Sequence, residues 1–219
     1  MSSVRHHPGE DVLWDYHCGR LSGGQALIMR AHTETCAQCR ADLRLLDAVG
    51  GAMLETADEV AMSENALDLA LARIERPVEA ETETMPALPR RPAFLQGFEL
   101  PESLRDVVVK KRYWAAPGVW MAPVEAGDSS KTAKTFLMHV KKGMTMPEHT
   151  HRGREMTLVL KGRFSDALGQ YEVGDLTVCD EVVHHSPSIQ EDCLCLVTLE
   201  ASILPLTWLG RLIQPISRV

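Results

Sequence analysis

Residues Gly143 to Gly162 read GMTMPEHTHRGREMTLVLKG, with His149 and His151 two positions apart, Glu155 four further on and a glycine at either end. Histidines at i and i+2 of an extended strand share a face, because successive side chains point to opposite sides. Gly153 permits a turn that returns the chain, so that Glu155 comes back beside the histidines at the start of a second strand. Along that strand Met156, Leu158 and Leu160 alternate. The stretch is thus a half-site of two imidazoles and one carboxylate, which a later histidine would complete.

The period of apolar residues is two from Pro101 onward, in runs such as Val107-Val108-Val109, Phe136 to Val140, Thr157 to Leu160 and Cys193 to Leu199. Glycines at 143, 153, 162, 169 and 174 punctuate these runs as in a small all-β domain. Gly174-Asp175 opens another strand, and His184-His185-Ser186-Pro187 closes the region. Only one of two adjacent histidines on a regular strand can point inward. Cys193 and Cys195 share a face of a late strand; packing is the commoner role for such a pair and redox chemistry the sharper one. Cys179 reads as core, and Trp114, Trp120 and Trp208 as fillers of the β domain or its seam.

Toward the N-terminus the period changes. From Asp11 to about Arg76 there is no proline, and apolar residues recur at three and four, as in Leu43, Leu46, Val49 and Met53. This is helical spacing, and about four helices are expected. Ser22 is placed to cap the second, Gly50-Gly51 to end or weaken the third, and Ser63 to Glu75 to form a fourth, with Trp14 packed inside. Between Arg76 and Glu102 fall five of the twelve prolines and the acidic run Glu79 to Glu83, a composition expected of a solvated linker. The expected organisation is a helical domain over residues 1–77, a linker over 78–100 and a β domain over 101–219.

His32, Cys36 and Cys39 are spaced by four and three, so on one helix they project from a single face. A structural zinc takes four Cys or His donors, and the fourth here has to come from elsewhere, with His6-His7 the natural source. The plainer alternative is a cysteine pair used for packing beside an exposed histidine. A redox CxxC would follow a strand, and none precedes this one. Cys18 reads as packing or surface.

A balance of 23 Lys plus Arg against 30 Asp plus Glu, net charge -7, argues against nonspecific grip on DNA or on an anionic membrane and leaves a basic protein partner open. No run approaches the ~20 apolar residues of a membrane span, and residues 1–22 lack the pattern of a signal peptide. The expected location is cytoplasmic, where six cysteines are better suited to metal than to disulfides.

The pattern G-x5-H-x-H-x3-E-x6-G closely resembles the first motif of the cupin fold. That resemblance implies a barrel in which His149, His151, Glu155 and His185 bind a metal, with His184 the competing donor. Counted from Gly174, Asp180 and Val182 stand where the family's second motif usually has proline and glycine, and Ile189 where it often has asparagine. Three imidazoles and a carboxylate suit zinc, iron, manganese or nickel; the family context favours zinc. His-x3-Cys-x2-Cys with an upstream histidine is similar to the zinc-binding anti-sigma domain, a four-helix domain that masks sigma factors of the extracytoplasmic-function class. It implies His7, His32, Cys36 and Cys39 as zinc ligands, His7 being preferred to His6 because it adjoins the helix entry at Pro8 to Asp11.

The pairing of an α-helical zinc domain with an all-β cupin barrel, an α+β two-domain chain, resembles the ChrR family of anti-sigma factors over nearly the whole length. The family is linked to the response to singlet oxygen and related oxidants. The resemblance implies inhibition of a sigma factor by the helices and a barrel that is needed for relief of inhibition when the stress appears. Beside it stands the expectation that the barrel metal site senses an oxidant, a modified lipid or a small ligand and does no catalysis. The rival expectation is a metal-dependent cupin dioxygenase with a helical regulatory appendage.

Overall fold

The computed structural model describes residues 4–75, 90–127, 133–201 and 203–205. Four helices come first: α1 (Glu10–His17), α2 (Gly23–Thr35), α3 (Ala37–Glu55) and α4 (Ala66–Glu75). Among the described residues ten strands follow: β1 (Val108–Val109), β2 (Tyr113–Ala116), β3 (Val119–Glu125), β4 (Lys134–Val140), β5 (His149–His151), β6 (Glu155–Ser165), β7 (Gln170–Tyr171), β8 (Leu176–Cys179), β9 (Ser188–Leu199) and β10 (Ile203–Pro205).

α2 starts where its capping box requires. The Gln25 N–H donates to Ser22 Oγ at 3.4 Å, and the Ser22 N–H donates to the Gln25 side chain at 3.0 Å. Its inward face carries Leu27, Ile28, Ala31 and His32, all buried. α2 ends at Cys36, whose ψ of 102° breaks the helix, and the same residue caps α3 by accepting the Cys39 N–H on Sγ at 3.3 Å. The expectation of one helix carrying His32, Cys36 and Cys39 is therefore corrected: the three donors straddle a helix junction. α3 runs through Gly50-Gly51 to Glu55 instead of ending there. An exposed glycine weakens a helix by only about 1 kcal/mol relative to alanine, too little to stop one of 19 residues.

An eight-stranded antiparallel sheet has the order β1-β3-β4-β9-β6-β7, with β2 also on β3 and β8 also on β6, and β5 pairs with β10. Both faces of its central strands are buried. On the inner face Phe136, Val159, Cys193, Cys195, Val197 and Leu199 form one core. On the outer face Leu137, Met156, Leu158, Leu194 and Leu196 join Val12, Leu27, Ile28 and Leu95 in a second, so helices and sheet share a hydrophobic core. This double burial is why the strands read as near-continuous apolar runs.

Within the region expected to be linker, residues 93–95 form a 3-10 turn on the sheet, with Leu95 fully buried and Phe94 edge-on to Trp120 at 5.4 Å. Trp120 fills the seam as expected, whereas Trp114 does not: it is 63% exposed on an edge strand, with Arg112 over its ring. Trp14 is likewise turned outward, 45% exposed and stacked on His17, because Val12 and Leu13 occupy the buried positions of α1. Cys179 is buried, Cys18 is exposed, and Trp208 and the acidic run lie outside the described residues.

Candidate metal centres

At the junction of α2 and α3 the structure brings together His7, His32, Cys36 and Cys39, each offering one donor atom, with all four atoms within 4.8 Å of one another. His7 Nδ1 lies 3.2 Å from Cys36 Sγ and 3.5 Å from Cys39 Sγ, and His32 Nε2 lies 3.3 Å from Cys39 Sγ. Neighbouring nitrogen and sulfur ligands of a tetrahedral zinc stand about 3.5 Å apart, from bond lengths of about 2.05 and 2.3 Å. The residues therefore fit a zinc ion. The other nitrogen of His32, Nδ1, sits 2.9 Å from the carbonyl oxygen of Gly174, which fixes the ring and leaves Nε2 facing the thiols.

The electrostatics suit a cation. Burial pushes the His32 imidazole down to about 4, so it is neutral at pH 7. Burial, together with the neighbouring Cys36, pushes the Cys39 thiol up to about 12. A divalent ion that displaced the thiol protons would stand among two thiolates and two neutral imidazoles, which sum with it to zero charge, the arrangement a buried site tolerates best. His6 takes no part in the cluster: its ring lies on Tyr171 at 4.4 Å and its Nε2 is 2.9 Å from the Gln170 carbonyl.

Inside the sheet the chain makes a second cluster. β5 and the His185 segment are bridged at His149 and His185, whose Nε2 atoms face each other at 3.1 Å. Glu155 opens β6 on the same inner face as Thr157 and Val159, and its Oε1 accepts the Thr157 hydroxyl at 3.0 Å. His185 is buried and His184 exposed, as alternation requires. The backbone of His151 lies in β5 opposite Ile203, and its side chain is outside the described residues. The two Nε2 atoms stand at a distance that two ligands of one metal ion can take, and Glu155 lines the same cavity as His185; among the described residues, the front cluster is the one place where three or more donor atoms converge. Burial pushes Glu155 up to about 7 and His149 down to about 4.

Asp166 was not singled out from sequence. Its Oδ2 is 3.3 Å from His185 Nδ1, and both side chains are nearly inaccessible, so it orients His185 as a carboxylate orients a metal-bound histidine. Its only sequence signal was that of a turn residue, which it also is: Oδ1 accepts the N–H groups of Leu168 and Gly169 at 2.8 and 3.2 Å. A cavity of about 40 Å³ beside the cluster is lined by Glu155, His185, Cys193 and Cys195, among others, and the two thiols stand 3.5 Å apart.

The chain is 33% identical over 219 residues to the anti-sigma-E factor ChrR of Cereibacter sphaeroides, an alignment covering 99% of this chain and all of that one. The chain belongs to the ChrR family. The family's ChrR cupin-like domain matches residues 108–203. A chain in the crystal structure of Rhodobacter sphaeroides SigE in complex with the anti-sigma ChrR superposes with a TM-score of 0.68 at 31% identity, covering 90% of this chain and 99% of that one. The ChrR-family fold thus accounts for both parts, the four helices and the antiparallel cupin sheet. Among the described residues, no helix is long and apolar enough to cross a membrane.

Proposed function

We propose that the chain is a cytoplasmic anti-sigma factor. Its helical part, residues 1–77, grips a sigma factor of the extracytoplasmic-function class, and its barrel, residues 101–219 beyond a 78–100 linker, relays an oxidant-type signal that relieves the inhibition. In a chain of this family, the observation that carries the reading is the uncovered apolar face of the helical part. The only buried residue of α3 is Cys39, and α4 has none, while Leu45, Met53, Leu54, Leu67 and Ile74 stand open, Leu54 at 78% and Ile74 at 80%. Apolar patches of this kind mark protein interfaces, and an amphipathic helix with spaced anchors is suited to a groove on a partner.

In this reading zinc at His7, His32, Cys36 and Cys39 is closed and structural: it holds the junction from which α3 projects and does no chemistry. A divalent ion, zinc before iron, manganese or nickel, is held in the barrel by His149, His151, Glu155 and His185. Catalysis forms no part of this reading, in keeping with the anti-sigma factor that the chain matches over its length. Cys193 and Cys195 serve as packing groups. The hydrogen bond that the Cys195 thiol shares with Cys193, together with burial, holds it well above its ordinary range, in the unreactive protonated form.

Co-expression of the full chain with the sigma factor encoded beside its gene tests the proposal. The expected result is a stable complex with silenced sigma-dependent transcription, zinc in the purified protein and no oxygen uptake. Transcription undiminished by the chain would sink the anti-sigma reading, and iron in the barrel with turnover would favour the dioxygenase.

A further inference from the structure

The turn that joins β7 to β8 touches the front metal cluster from two sides. The Asp175 carboxylate, in a residue only 2% exposed, accepts three backbone N–H groups: Oδ1 takes those of Arg5 at 2.7 Å and His6 at 3.1 Å, and Oδ2 that of Glu172 at 2.9 Å. The Leu176 N–H donates to the His6 carbonyl at 3.1 Å, extending the tie along the chain. Residues 4–7 belong to no helix or strand, so these bonds, together with the His6 ring contacts on Tyr171 and Gln170, order the segment that delivers His7. On the other side the Gly174 carbonyl holds His32. Gly174 has φ +93°, and a β-carbon there would lie 2.9 Å from Val4 Cγ2 and 3.4 Å from Thr35 Oγ1, so the turn abuts both ligand-bearing segments.

We infer that the 172–176 turn of the barrel is a working part of the front metal centre, with Asp175 the positioning residue for His7. Metal retention there and docking of the barrel on the helices then form one coupled equilibrium. Two of the four donors, His7 and His32, are oriented by the barrel, while Cys36 and Cys39 are oriented by the helix junction itself. Removing the Asp175 carboxylate leaves three part-buried N–H groups without their acceptor. The short N-terminal segment then keeps only the His6 contacts with Tyr171, Gln170 and Leu176 and the packing of Val4 to offset its ordering entropy. Linkage makes the effect reciprocal: what the barrel contributes to metal binding, the metal returns to barrel docking. The inference rests on the proposal that zinc occupies the front centre.

The test uses full-length, zinc-loaded protein. Cys36 and Cys39 are alkylated with iodoacetamide in excess chelator and quantified by peptide mass spectrometry, which reads the front centre separately from the barrel. Asp175→Ala should expose the two thiols about 10- to 100-fold faster than wild type, the usual cost of losing a group that orients a ligand. Asp175→Asn, which keeps one acceptor oxygen, should fall between them. Should Asp175→Ala fail to fold, Arg5→Pro decides, since it deletes one donor and leaves every barrel atom in place; it too should accelerate alkylation. In wild type, zinc should slow hydrogen exchange of the Leu176 amide relative to stripped protein.

Alkylation rates equal to wild type in Asp175→Ala and Arg5→Pro, or a Leu176 amide indifferent to zinc, would overturn the inference while leaving the zinc proposal intact. A wild-type chain whose thiols react at the free-cysteine rate with zinc present would instead remove the zinc proposal beneath it.

Discussion

His32 Nδ1 and the Gly174 carbonyl oxygen, 142 residues apart in sequence, meet at 2.9 Å in a fully buried setting. One ring thereby serves two parts of the molecule, the cysteines of the helix junction through Nε2 and the barrel turn through Nδ1. His32→Ala is expected to lose about one equivalent of zinc and to melt α2 and α3 cooperatively, because structural zinc contributes folding free energy outright. Elemental analysis and circular dichroism check this. A variant that keeps both metal and helix content would contradict a structural role.

The same residue sets a pH dependence in metal-stripped protein. Burial lowers the His32 pKa in the folded state to about 4, below the ordinary 6.5 of the unfolded chain. The unfolded chain therefore binds the extra proton in that window. The contribution of neutral His32 is fully present above about pH 6.5 and is lost as pH falls through about 4, about 3 kcal/mol in all. Urea midpoints of stripped wild type and His32→Gln between pH 7.5 and 4.5 should converge as pH falls; parallel curves would refute the assignment.

Glu155 works in the opposite sense. Its folded pKa of about 7 is raised by burial above the usual 4.5, so in stripped protein its contribution is intact below pH 4.5 and is lost as pH rises through 7. Glu155→Gln removes that loss. The stripped variant should match wild type near pH 4.5 and exceed it at pH 8 by up to about 3 kcal/mol, while binding barrel metal more weakly. Thermal melts at the two pH values decide it, and a variant less stable at pH 8 would count against the buried-carboxylate account.

Leu54→Asp and Ile74→Asp probe the open helical face. Both side chains are exposed, so the melting temperature of the free protein should stay within about 2 °C of wild type, as surface substitutions do. Affinity for the sigma factor should fall by at least about tenfold if these residues are anchors. Calorimetric titration reads the affinity, and unchanged binding by both variants would place the interface elsewhere.

Gly162, the last residue of the opening motif, adopts φ +74° at an irregular stretch of the β6–β9 pairing, where an added β-carbon would lie 2.2 Å from the Asp192 carbonyl oxygen. Gly162→Ala meets both an unfavourable backbone conformation and a clash with main chain. The expected destabilisation is about 2 kcal/mol or more, measured by denaturant unfolding. A neutral substitution would mean that β9 yields there at little cost.

The donor types and their spacing, the change of period from helix to strand and the inward side of β6 are legible along the chain, because these follow from local geometry within one segment. The sequence also carried the family resemblance. Which of His6 and His7 faces the cysteines, and that Trp14 and Trp114 turn outward, emerge once the chain is packed. Each of these depends on which face a distant element covers. Asp166 and Asp175 stayed illegible for the same reason: a turn aspartate announces its own backbone bonds, whereas its link to His185 or to the N-terminal segment arises only when the chain closes. That the barrel turn shares in the front metal centre is likewise a property of packing two segments far apart in sequence, and no local pattern encodes it.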